Sequence, residues 1–556
     1  MPHPRIHRLL VSLPLVVAAF GAGASTFQDP QSRPGRGLGP GPAWRGPVRP
    51  SATNAVFATA DGCAMCHAAA PRALAMRSPT GEDVSPHGLW QATMMANSFR
   101  DPYWRAQVAK ECAENPQQAE QVQALCLRCH APMASHSARL GGQPSPTLAT
   151  AVDDPLAKDG VSCTVCHQVQ AEGLGTAASF SGNLSLGHER RIFGPYPEPF
   201  AMPMQMHSGY TATHGPQIGT SALCGACHTL ITHHTGKAFP EQAPYLEWRN
   251  SVFTTEAGAG AEARSCQDCH MPRQEATRIA RNPGGRDFNI PARPAYATHV
   301  LTGGNAFMLD MLRENAQALG VSASAAALER AATITRRQLA EQTARLSITE
   351  PKRLEGRLEF AVQIENLTGH KLPTGYPARR AWLQVEVRAG NEVLFQSGAY
   401  DQQGRLRSVA DELAIPHRDV ITRPDEVAVY ECVPIDADGQ PTRLLTRMAG
   451  MGKDTRLLPK GWRPDGPHAA ATAPVGTGLD PDFGAGGDTV HFAIPLPADA
   501  PRVTVVAWLR YQAIPPAWVE PLRTTDAEAA RIFVGLYDTA DKTPEVAGHA
   551  ARSEAR

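Results

Sequence analysis

The chain has 556 residues with 53 basic and 53 acidic side chains, a formal net charge of zero. That length predicts two or three domains, and the absence of a basic excess argues against nucleic acid as a partner. Apolar residues make up 42% of the chain while Gly and Pro number 48 each, above the roughly 12% that the pair takes in an average protein. A loop-rich chain is expected, with an interior partly filled by something other than side chains.

In chain order, the first element is a secretory signal over 1–24. Arg5 and Arg8 precede an apolar run over 9–20, and Ala22-Gly23-Ala24 offers small residues at a cleavage site. The run is shorter than the ~20 apolar residues that span a bilayer, so cleavage is read over an uncleaved anchor. No later stretch is long and apolar enough to cross. Periplasmic localisation follows, with outer-membrane association or export left open. Residues 25–55 are rich in Pro, Gly and Arg and read as a flexible linker.

Residues 56–305 contain five copies of one pattern: Cys63-Ala-Met-Cys66-His67, Cys126-Leu-Arg-Cys129-His130, Cys163-Thr-Val-Cys166-His167, Cys224-Gly-Ala-Cys227-His228 and Cys266-Gln-Asp-Cys269-His270. CxxCH attaches c-type haem. Two thiols one helical turn apart add across the two vinyl groups, and the following histidine points its imidazole at the iron. A zinc knuckle or a thiol–disulfide site does not require a histidine after every pair. Composition alone predicts about 0.01 copies in the chain. Five covalent haems c are therefore expected, with His67, His130, His167, His228 and His270 as proximal ligands and a short helix at each motif. The connections between the second and third motifs and between the fourth and fifth are the shorter ones, which predicts that these motifs pack in pairs.

Low-spin haems need a sixth ligand, usually His and sometimes Met. His299 precedes Val300-Leu301-Thr302-Gly303-Gly304, where the glycines let backbone lie close to a flat macrocycle. His370 stands between an apparent strand and a turn, and both histidines are candidates. Met95, in a run of two methionines, competes with His87 for the remaining place, and His136 is a weaker choice. Arg379, Arg380, Arg100 and Arg286 are candidate propionate partners, because guanidinium matches carboxylate geometry. Cys112 and Cys432 are left over. They either form a disulfide that ties the two halves of the chain together or remain separate thiols.

Residues 306–346 read as connecting helices, with Leu328, Ala332, Leu339 and Leu346 near one face. From 347 to 540 the texture changes to short alternating or β-branched runs over 358–364, 381–387, 426–433, 489–494 and 503–510. Turn residues separate them, which predicts an antiparallel β-sandwich. Residues 541–556 are polar and read as a frayed tail. The fold class expected is α+β multidomain: a loop-rich, mainly helical multihaem domain followed by an antiparallel β-sandwich.

Longer strings add a resemblance. DGVSCTVCHQV, SALCGACHTL, FPEQAPYLEWRNS, SCQDCHMP and ENLTGHKLPTGYPARRAWLQVEV resemble bacterial multihaem c-type cytochromes related to the cytochrome c-554 family, over roughly residues 56–400. The resemblance implies electron transfer and a C-terminal β-domain packed against the haems, and it includes histidines at His207 and His214 as ligands. An electron carrier working with redox partner proteins, within or beside a membrane-associated redox complex, is expected over a catalyst. The alternative is an oxidoreductase with one open-coordinate haem acting on a small nitrogen or sulfur compound such as nitrite or hydroxylamine.

Overall fold

The computed structural model describes residues 53–555 except 234, 235, 237, 257, 408 and 498. The signal over 1–24 and nearly all of the linker over 25–55 lie outside the described residues. Among the described residues no helix is long and apolar enough to cross a membrane.

The first half is made of short helices joined by long loops. A helix ends in or covers each motif: α1 (Ala60–His67), α3 (Ala119–His130), α4 (Cys163–Cys166), α5 (Ser221–Gly225) and α6 (Cys266–His270), with α2 (Pro102–Glu114) preceding the second. Local chemistry starts several of them. Asp101 caps α2 by accepting from the amides of Tyr103 and Trp104, with Pro102 at the first helical position. Ser265 and Asp268 form a reciprocal capping box on α6. Gly225 lets α5 lie against Tyr245, since a Cβ there would stand 2.6 Å from the ring. Buried apolar residues in this half fall into several small clusters, such as Val56, Phe57, Met133 and Val165 in one and Phe180, Tyr245 and Trp248 in another.

Two helices connect the halves. α7 (Ala306–Glu314) packs on α8 (Ala325–Gln342), which Ser324 caps and which buries Leu328, Ala332, Thr335 and Leu339. Leu346, expected on this helical face, instead lies in the first strand.

The second half contains two five-stranded sheets. The strands are β1 (Ala344–Ile348), β2 (Lys352–Leu354), β3 (Arg357–Asn366), β4 (Arg380–Ala389), β5 (Glu392–Ser397), β6 (Val420–Ile421), β7 (Val429–Tyr430), β8 (Cys432–Ile435), β9 (Gly450–Asp454), β10 (Gly487–Pro495), β11 (Thr504–Gln512) and β12 (Glu545–Ser553). One sheet runs β5-β4-β11-β12, with β7 also on β4. The other runs β6-β10-β3-β1, with β2 also on β3. Pairing is antiparallel except for β6 on β10, and β8 and β9 form a separate hairpin. Both sheets contribute to one large core that includes Leu358, Val362, Val385, Val490, Ile494, Val505 and Leu509. Phe360 and Phe492 face each other in register, their rings stacked at 4.8 Å.

The α+β class is therefore observed, with two corrections. The stretch over 541–556 is not a frayed tail, because β12 pairs along β11 from Glu545 to Ser553. Val546 and Ala547 supply enough apolar surface to seat a strand whose outer positions are polar, and that polarity made the segment look unstructured. Between β11 and β12 the chain forms α9 (Pro516–Arg523) and α10 (Glu528–Thr539), the latter packed on α2. These helices fall inside the span read as all β.

Candidate haem-binding cavity

All ten cysteines and five histidines of the motifs, from Cys63 to His270, line one cavity of about 2160 Å³. Single-ligand pockets have volumes of roughly 300–1,000 Å³, so this space suits several large groups. Cys63 contacts Cys163, Cys224 contacts Cys266, and Cys129 contacts Cys227. The fourth and fifth motifs are thus neighbours, as their short connection predicts. The third motif pairs with the first and the second pairs with the fourth, which corrects the expected pairing of second with third. Chain length limits how far apart two motifs can be and does not choose among nearer partners.

Four of the five expected proximal imidazoles are oriented by backbone carbonyls. Nδ1 of His67 lies 2.9 Å from the Ile279 carbonyl, and that of His130 lies 3.0 Å from Ser98 O. Nδ1 of His167 lies 2.6 Å from Phe193 O, and that of His270 lies 2.6 Å from Thr302 O. Each carbonyl accepts from Nδ1–H, fixes the tautomer and leaves Nε2 as the free donor atom for a metal. Trp104 stacks on the His130 ring at 4.2 Å. Burial pushes His130 and His270 down to about 4, so both are neutral near pH 7. The neutral imidazole is the form that ligates metal.

Two of the expected distal ligands face proximal ones. The rings of His167 and His299 are nearly parallel with centroids 6.2 Å apart, and those of His270 and His370 are 6.3 Å apart. A metal midway would stand roughly 3 Å from each centroid. That distance matches a metal–imidazole bond of about 2.0–2.1 Å plus about 1 Å from nitrogen to ring centre. Nδ1 of His299 is buried without a hydrogen-bond partner, while Nδ1 of His370 lies 2.8 Å from the Lys371 carbonyl. The residues present therefore fit haem c: paired thiols, oriented neutral imidazoles, and opposed ring pairs over a large apolar-walled space.

The other candidates are placed differently. Met95, His87 and His207 line the cavity. His87 is buried, while His207 is exposed on a short helix over 201–208. His214 is exposed, stands opposite Gly194 in a short parallel ladder and does not line the cavity. His136 is buried away from it, with Nδ1 2.7 Å from Arg139. Of the four arginines, Arg379 lines the cavity and donates to the Tyr511 hydroxyl at 3.1 Å. Arg380 is buried against Glu412 at 3.1 Å, Arg100 donates to the Gly320 carbonyl at 2.8 Å, and Arg286 is exposed. Cys112 and Cys432 are separate thiols, each directed at a different backbone carbonyl, so they form no disulfide.

A buried ion network holds the His370 loop, and nothing in the local sequence signalled it. Lys371 donates Nζ to Asp454 at 2.6 Å, and Arg456 reaches both Asp454 at 2.6 Å and Glu247 at 3.3 Å. Glu247 also accepts from the Lys371 amide and the Thr374 hydroxyl. Although burial opposes its charge, Arg456 and Lys371 hold Asp454 down at about 2. Glu247 comes from the first half and Asp454 from β9, so the network joins the halves at the point where His370 enters the cavity. The spacing of these residues in the chain, over 200 positions between Glu247 and Arg456, hides them from any sequence motif.

The cavity also carries the polar residues Tyr103, Gln107, Glu241 and Arg379. Gln107 donates to the Tyr103 hydroxyl at 2.9 Å. Glu241 is buried, its Oε2 has no hydrogen-bond partner, and burial pushes its carboxyl up to about 8.

No family model matches the chain, and no curated protein matches it at a significant level. Among solved structures, a penta-heme cytochrome c552 from Thermochromatium tepidum matches with 18% identity and a TM-score of 0.49, covering 91% of this chain and 100% of that one. At this score the likeness decides nothing, and the residues of this chain carry the case.

Proposed function

We propose that this protein is an exported c-type cytochrome that carries five covalent haems and transfers electrons between redox partner proteins. The observation that carries the reading is the convergence of all five CxxCH motifs on one cavity, with His299 and His370 set opposite two proximal histidines. Haem c, when bound, supplies a one-electron iron couple. The chain's own residues hold the imidazoles neutral and oriented, exclude bulk water with apolar walls, and set the motifs close enough for successive transfers. His167 with His299 would hold the haem iron at the third site, and His270 with His370 would hold it at the fifth. Met95, His87 and His207 are the remaining distal candidates on the cavity, and the place of His214 outside it weakens the case for that residue. Residues 1–24 act as a cleaved signal that directs the chain to the periplasm, and the c-554 resemblance agrees with a role beside a membrane-associated redox complex.

A second reading has its own observation. Tyr103, Gln107, Glu241 and Arg379 all line the cavity, where the neutral Glu241 carboxyl would deliver a proton to a small nitrogen or sulfur substrate at an open iron and the Arg379 guanidinium would hold its negative charge. The electron paramagnetic resonance spectrum of the oxidised, haem-loaded protein separates the two. Low-spin signals alone are the result expected for electron transfer. A high-spin signal from about one haem in five would move the assignment to catalysis.

A further inference from the structure

The β half holds a cluster of titratable groups that has no part in the haem cavity. His417 precedes β6, Asp480 lies in the turn before β10, and Asp488 is on β10 itself. One ligand atom from each lies within 4.8 Å of the others. Asp419, Asp482 and His491 form a second such group, and Asp419 feels both Asp480 and Asp482. None of the six residues lines the haem cavity.

The three inner donors are each held in place. The His417 ring packs edge-on against Phe483 at 5.3 Å, and its Nε2 lies 2.7 Å from Asp480 Oδ2. Asp480 Oδ1 accepts from the amides of Asp482 and Phe483, which turns Oδ2 toward the cluster. Asp488 is 4% exposed, and its Oδ2 accepts from the Tyr430 hydroxyl at 2.7 Å. Its Oδ1 is buried and has no donor. Oδ1 of Asp419 is also buried without a hydrogen-bond partner. Buried carboxylate oxygens without donors are costly unless a positive charge or a proton meets them.

We propose that His417, Asp480 and Asp488 bind one divalent cation of the zinc class, with the remaining position taken by water. An imidazole and two carboxylates form a donor set for zinc and similar transition metals. Calcium takes six to eight oxygen ligands and is poorly served by an imidazole. The partners of these donors, Phe483, the turn amides and Tyr430, are the outer contacts that orient metal ligands. The ion supplies the positive charge that Asp488 Oδ1 lacks. It also ties three distant segments of the β half together, so its binding adds to stability.

The test uses the haem-loaded protein, treated with a chelator, freed of it and titrated with zinc chloride and, separately, calcium chloride by calorimetry. The expected result is saturation near one equivalent of zinc, with calcium weaker by about tenfold or more. Asp488→Asn and His417→Gln each weaken zinc by about tenfold or more while the haem absorption spectrum stays unchanged. A variant that does not fold is replaced by a measurement on the unaltered protein: chelation lowers the melting temperature and zinc restores it. The proposal is overturned by no saturable zinc binding, by calcium binding as tightly as zinc, by unaltered affinity in both variants, or by a melting temperature indifferent to chelation. An Asp488→Asn protein that melts higher than the parent while neither takes up zinc would show that a proton occupies the site instead.

Discussion

The two halves of the molecule solve the problem of an interior in opposite ways. In the β half, side chains from two sheets pack into one continuous apolar core, and cross-strand pairs such as Phe360 and Phe492 stack within a sheet. In the haem half, buried apolar residues gather into several small clusters around a space of about 2160 Å³. Protein interiors are normally close-packed with few voids larger than a water, so a cavity of that size is suited to large bound groups. On the proposed reading, one half is stabilised by its own side chains and the other by the haems that would fill its cavity.

That contrast is easiest to break by withholding haem. A full chain made without haem attachment is expected to lose protease resistance across residues 56–305 while fragments spanning 344–555 persist. Uniform resistance, or uniform digestion, would erase the distinction between the halves. Next in size is the ion network between them. Arg456→Ala leaves Asp454 and Glu247 under-compensated in a buried site and should cost about 3–5 kcal/mol, read by denaturant unfolding. The same network has a pH signature. Asp454 is held below its ordinary 3.8, so its contribution is complete above that value and is lost as pH falls toward about 2. A stability curve flat across that acid window would argue that the network is only geometric.

A smaller and more local change sharpens the view of the haem half. His370→Ala is expected to turn about one haem in five high-spin, seen in the absorption and resonance spectra, while β-half unfolding stays near that of the parent. An unchanged spin state would remove His370 from the axial set. The smallest effect belongs to Glu241→Gln. The carboxyl is already neutral near pH 7 because burial raises it to about 8, so stability at that pH should move by less than about 1 kcal/mol. A large loss would mean that Glu241 is ionised in the loaded protein.

Much of this was readable in the chain. Cys-x-x-Cys-His is a local constraint, since the two thiols and the imidazole must sit on one turn of helix, and so all five motifs could be located without a structure. His299 and His370 could be singled out as well, through the loop signals around them. The strands over 358–364 and 489–494 showed because alternation survives wherever one face is buried. Other features were hidden. Residues 545–553 have polar outer positions, and their strand forms only because β11 presents an open edge. Helices α9 and α10 lie inside the expected β span because their apolar positions serve contacts with α2 that exist only after the halves meet. The Glu247, Arg456, Asp454 and Lys371 network could not be found, because each member looks like an ordinary surface charge in its own stretch.

The sequence by itself determined the number and position of the CxxCH motifs, the class of the fold and the division between a loop-rich half and a β half. These depend on residue types at fixed short spacings and on periodicity. Only the tertiary structure decided which motifs adjoin, that Cys112 and Cys432 stay apart, that His214 lies outside the cavity, and that His370 is clamped by ions from both halves. Those outcomes depend on which distant segments pack against each other, and burial, not proximity in the chain, makes that choice.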